Sequence, residues 1–132
     1  MKRFHIIFGL TLAVVFLLTG QYMDRFHHHL VDMPDGPRML YRSRHIYILL
    51  SALVHLGIGS YFYYRTQTWL RIIQLLGSAL ITIASVMFVS AFFYEPGLQN
   101  LQGPVTKIAV IITAVGMLFH LLGSRETMKH ER

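Results

Sequence analysis

The chain has 132 residues, of which 54% are hydrophobic and 14% charged, and it carries a formal charge of +6. That balance is too apolar for an ordinary soluble domain and leaves room for one domain. The absence of cysteine excludes disulfides, thiolate metal sites, iron–sulfur ligation and an N-terminal lipoprotein anchor. Lys and Arg are spread over the ends of apolar segments with no run of five, so the expected partner is the lipid bilayer with its anionic headgroups, and no nucleic acid is expected.

A charged side chain at mid-bilayer costs roughly 2.5–3.5 kcal/mol, so windows free of charge mark helices able to cross. The first window runs from Phe4 to Met23. Met1-Lys2-Arg3 before an apolar run is also a signal-peptide pattern, but Leu18-Thr19-Gly20-Gln21-Tyr22 offers no small-x-small cleavage site, so the segment is read as a retained span. An outer loop follows over residues 24–44, with a turn at Pro34-Asp35-Gly36-Pro37. The second span covers 45–64, the third 72–94, and the fourth 108–124, extended to 105 by Val105 and Thr106. Each approaches the roughly 20 residues that cross the hydrocarbon. Residues 125–132 form a polar tail. The expected class is all-α, with four transmembrane helices in an up-down antiparallel bundle.

Orientation follows from the cations. Lys2, Arg3, Arg65, Arg71, Arg125, Lys129 and Arg132 fall on the face of the termini, and Arg25, Arg38, Arg42, Arg44 and Lys107 on the other. The positive-inside rule then puts both termini in the cytoplasm, and helical spans fit an inner membrane.

Small and weakly polar residues at helical spacing give each span a packing face, such as Gln74, Ser78, Thr82 and Ser85 in the third. Histidines within spans are functional candidates by default. His5, His55 and His120 each have a glycine one turn away, Gly9, Gly59 and Gly116. That spacing suits haem b, with histidine on the iron and glycine leaving room for the flat ring, and it equally suits close helix packing beside a hydrogen-bonding imidazole. At about 1.5 Å per residue, His5 lies roughly 2 Å from the inner edge, His120 roughly 6 Å and His55 roughly 13 Å. His5 and His120 are therefore the best-matched pair of cofactor ligands; His55 with His120 needs tilt or a register shift, and His55 is alternatively a hydrogen-bond partner for Thr82, Ser85 or a ligand.

In the outer loop, Asp24, His28 and Asp32 align at i, i+4, i+8 if helix 1 continues beyond the membrane, with His45 as a fourth donor. Met23, Met33 and Met39 would favour copper. Arg38, Arg42 and Arg44 would anchor headgroups or clamp carboxylates such as porphyrin propionates, Arg42 being the cofactor candidate.

Phe4-His5-Ile6-Ile7-Phe8, then Arg38-Met39-Leu40-Tyr41-Arg42 and Gly57 with Gly59, resemble the HemJ-type protoporphyrinogen IX oxidases, small four-helix inner-membrane proteins that carry haem b. The resemblance covers residues 4–64 and implies that His5 is a haem ligand. Trp69-Leu70 resembles the family's start of helix 3, but Ile73 and Gln74 stand where its lysine is expected. Three functions remain open: a haem-binding redox or haem-pathway protein, a non-catalytic accessory subunit or assembly factor of a larger membrane complex or homo-oligomer, and a copper-binding protein.

Overall fold

The computed structural model describes residues 1–63, 66–98 and 103–124. Tyr64 at the expected end of the second span, Arg65 in the inner loop and the tail 125–132 lie outside the described residues. These form four α-helices, α1 (Lys2–His27), α2 (Asp35–Tyr61), α3 (Thr68–Tyr94) and α4 (Pro104–Ser124), with 3-10 turns at His28–Leu30 and Glu95–Gly97 and no strand among them.

The outer loop expected over 24–44 is mostly helix. Charge keeps a segment out of hydrocarbon but does not keep it from coiling, and here α1 runs on to His27 while α2 starts at Asp35. Pro34 is extended ahead of α2, Asp35 complements the helix dipole in the first turn, and Pro37 sits where a backbone N–H has no intrahelical partner. Between the helices, His28, His29 and Leu30 take φ of 43°, 56° and 64°. These left-handed conformations cost about 1–2 kcal/mol each and turn the chain back sharply.

The helices pair as hairpins, α1 on α2 and α3 on α4, and the hairpins meet along α2 and α3. Gly77 makes the second pairing close: a Cβ there would run into the backbone N of His120 and lie 2.6 Å from the Gly116 carbonyl oxygen. At the end of the bundle where α1 meets α2 the core is aromatic and aliphatic, with Tyr41, Ile48 and Phe92 buried together over Leu30.

Polarity is arranged inside out. His5, His55, Ser78, Ser85, Gln74 and Glu95 are all buried, whereas Ile7, Leu17, Ile46, Leu53, Ile83 and Leu121 are exposed. Among the described residues three helical segments are long and apolar enough to cross a membrane, Lys2–Leu30, Thr68–Gly97 and Pro104–Ser124. α2 falls short in apolarity because it carries Arg38, Arg42, Arg44, His45 and His55.

The end where α1 meets α2 is tied by a buried ion pair that joins three elements. Arg44 of α2 donates from Nε and Nη2 to Glu95 Oε2, both at 2.7 Å. The first turn of α4 completes the set, with Thr106 N donating to Oε1 at 2.9 Å and the Thr106 hydroxyl to Oε2 at 2.5 Å. Gly103 closes the corner at φ +56°, and a Cβ there would strike Arg44 Nη2. Gly103→Ala is expected to lose about 1–3 kcal/mol through that backbone strain, on top of displacing the guanidinium. Gly97→Ala, whose Cβ meets nothing within 4 Å, is the control. Unfolding by denaturing detergent should separate the two, and equal midpoints would discredit the packing at Gly103.

Candidate functional site in the bundle interior

His5, His55 and His120 gather near the end of the bundle where α1 begins and α2 ends. The rings of His5 and His55 are 5.0 Å apart and those of His5 and His120 6.4 Å apart, with Phe62 packed against His5 at 5.9 Å and His120 at 5.7 Å. His5 and His55 are wholly buried.

His55 bonds Ser85, one of its expected partners, but it also reaches His5. α2 ends at Tyr61 and not at residue 64. His55 is therefore about 9 Å from its helix end, against about 4.5 Å for His5 and about 6 Å for His120. That smaller offset lets the His5 and His55 Nδ1 atoms approach to 2.8 Å.

The hydrogen bonds fix the tautomers in a chain. The Ser85 hydroxyl donates to the Ile81 carbonyl at 2.8 Å, so the bond of 3.2 Å between His55 Nε2 and Ser85 Oγ is donated by the imidazole. A neutral His55 then presents an unprotonated Nδ1, which accepts from His5 Nδ1–H. His5 is left with a bare lone pair on Nε2, and that atom is buried without a hydrogen-bond partner. A histidine anchored through Nδ1–H with Nε2 free is the arrangement metal-ligating imidazoles adopt. His120 is held separately, its Nδ1 3.1 Å from Ser78 Oγ.

The glycines do not open space beside these rings. A Cβ on Gly9 would lie 2.9 Å from Leu56 Cγ and 3.1 Å from the Ala52 carbonyl oxygen. On Gly59 it would lie 2.7 Å from Ile6 Cγ1, and on Gly116 2.9 Å from Ile81 Cγ1 and 3.0 Å from the Gly77 carbonyl oxygen. Each glycine is filled by the neighbouring helix. The donor chemistry at His5 suits an iron ligand, but the packed bundle has no slot for a flat macrocycle at Gly9, Gly59 or Gly116, so the residues as arranged do not fit haem b.

The outer-loop donors are not brought together. α1 stops at His27, so the register that would align Asp24, His28 and Asp32 is broken by the left-handed turn. Asp24 instead meets His29 Nε2 at 2.6 Å. His45 points into the bundle, stacked on Phe16 at 4.0 Å, with Nδ1–H donating at 3.0 Å to the Thr19 hydroxyl, which itself donates to the Phe16 carbonyl. Among the described residues no group of three or more His, Cys, Asp or Glu could hold a metal ion.

Arg42 is exposed, and the buried arginine is its neighbour Arg44. The pairing of Arg44 with Glu95 went unforeseen, although its signal is in the sequence. Arg44 is the last cation before the second charge-free window and Glu95 the first acid after the third, so both sit at one depth. Comparison of the chain with family models, with characterised proteins and with solved structures finds no match.

Proposed function

We propose that this chain is a polytopic inner-membrane protein with four spans and both termini in the cytoplasm, acting as a non-catalytic accessory subunit or assembly factor of a larger membrane complex. The inside-out polarity supports insertion, because a surface of this apolarity favours lipid and the buried polar groups are largely hydrogen-bonded to one another. α2 crosses as the fourth span by turning Ser51 and His55 inward while Ile46, Leu50 and Leu53 face out. Its 27 residues reach about 40 Å, enough to cross and leave its arginines at the interface.

The observation that carries the accessory role is the filling of Gly9, Gly59 and Gly116 by neighbouring helices. A bundle packed in this way presents an apolar exterior and, among the described residues, leaves no space for a cofactor at the glycines beside His5, His55 and His120. Pulled from membranes in mild detergent, the protein should be colourless and should co-purify with a larger assembly in fixed stoichiometry. A sharp reduced-minus-oxidised haem band, lost in His5→Ala, would defeat this reading, as would a protein that runs alone.

A second reading is favoured by one atom, the bare and buried Nε2 of His5. In it the bundle opens to seat haem b between His5 and His120, and the resemblance of residues 4–64 to the HemJ-type oxidases belongs here. Metal analysis of the same preparation addresses copper.

A further inference from the structure

The geometry points to a binding site for an anionic phospholipid of the outer leaflet in the cleft between α2 and α4. The inference rests on the membrane reading above. Both helices start at the same end of the bundle, and they scarcely touch because α2 packs chiefly on α1 and α4 on α3. The cleft they leave holds two adjoining cavities that share Tyr47 and Val110.

The outer cavity, about 590 Å³, is a mouth of mainly apolar lining to which Ser43, Thr106 and Lys107 add polar atoms. The inner one, about 220 Å³, is almost wholly apolar and runs down to Val54 and Met117 over Phe88. From Lys107 to Met117 is ten residues, or about 15 Å of helix, half of the roughly 30 Å hydrocarbon core. A partner helix would need a groove across the full thickness. An acyl chain from one leaflet needs this length and no more.

Charge selects the headgroup. Arg44 at the mouth is already neutralised by Glu95. Lys107 has no ion-pair partner among the described residues, and neither has Arg42, which lies on the adjoining surface that shares Met39 and Ser43 with the mouth. Two cations without an ion-pair partner among the described residues match a phosphodiester anion, with the chain below it in apolar surroundings.

The test reconstitutes the full chain into nanodiscs of equimolar phosphatidylcholine and phosphatidylglycerol and reads the lipid retained on the ejected protein by native mass spectrometry. Phosphatidylglycerol should be retained in preference, and Lys107→Gln and Arg42→Gln should each lower that retention about fivefold. Lys2→Gln, at the opposite end, should not. Ala114→Phe, which fills the apolar cavity, should remove both lipids. Equal retention of the two lipids, or charge variants that match the parent, overturns the site. So does a lipid-free homodimer, because the cleft would then hold a second copy, and so does displacement of the adduct by inorganic phosphate, which would mean a headgroup pocket without a chain. A chain that inserts and retains no lipid overturns this inference alone, whereas a chain that does not insert overturns the membrane reading with it. The charge variants lie on the surface, so they keep the test decisive even if Ala114→Phe fails to fold.

Discussion

Glu95→Ala is expected to destabilise the bundle by about 3–5 kcal/mol, because it leaves the Arg44 guanidinium in a buried position with its principal acceptor gone. Arg44 is 6% exposed and Glu95 wholly buried, so neither charge is compensated by water. The same deletion orphans Thr106 N, which then has no carboxylate to accept its hydrogen bond. Arg44 lies near the outer end of its helix and can snorkel toward the interface, which places the loss toward the lower part of that range. The informative comparison is the double variant Arg44→Met with Glu95→Leu. Replacing both members of a buried pair by apolar residues of similar volume is often neutral or better, so the double variant should be more stable than either single one. Unfolding midpoints in mixed detergent give the cycle. If Glu95→Ala and Arg44→Met lose nothing singly, the pair is not buried as described.

Four helices and their order were readable from the places where charge is missing, since the bilayer cost of charge acts on each residue independently. What was not readable depends on where helices stop. The helical start of α2 at Asp35 was hidden because a charge-free window reports the hydrocarbon and not the helix, and Arg38, Arg42 and Arg44 lie outside the first while inside the second. The charge-free window places His55 too deep for the same reason, because it runs three residues beyond the helix end at Tyr61. The depth argument pairs His5 with His120, and their rings lie 6.4 Å apart. It could not foresee that His55 reaches His5 through Nδ1, because that contact depends on the rotation of two helices about their axes. The glycines illustrate the limit most plainly. A glycine one turn from a histidine means either open space or an approaching backbone, and only the position of the neighbouring helix decides. Between α1 and α2, three left-handed residues arise without a glycine to signal them, and with the non-helical residues 31–34 they take Asp24, His28 and Asp32 out of one helical register.

The decisive packing test is Gly77→Ala, for which the loss should exceed the roughly 1–3 kcal/mol of ordinary overpacking. The added Cβ would collide with backbone, the His120 N and the Gly116 carbonyl, and backbone can give way only if α3 and α4 move apart as units. In lipid that separation is not opposed by a hydrophobic force, so it forfeits the close contacts that hold the pair together. Gly116→Ala should cost less, because the atoms its Cβ would meet, Ile81 Cγ1 at 2.9 Å and the Gly77 carbonyl oxygen and Leu80 Cβ at 3.0 Å, all lie farther off than the His120 N and Gly116 carbonyl oxygen that face Gly77. Gly57→Ala should be neutral or stabilising by up to about 1 kcal/mol, since nothing lies within 4 Å of its Cβ and alanine is the better helix former. The order Gly77, then Gly116, then Gly57 follows from packing alone. It also discriminates between the two functions. In a closed accessory bundle, Gly77→Ala pushes α4 away, pulls His120 from Ser78 and lowers stability without any change in visible absorbance. In a bundle that opens for haem, Gly116→Ala would intrude on the ring and lower the haem content more than the stability. An order of stability losses that tracks backbone contact, in a preparation without a haem band, is the pattern expected here. A haem band weakened most by Gly116→Ala would reverse the assignment.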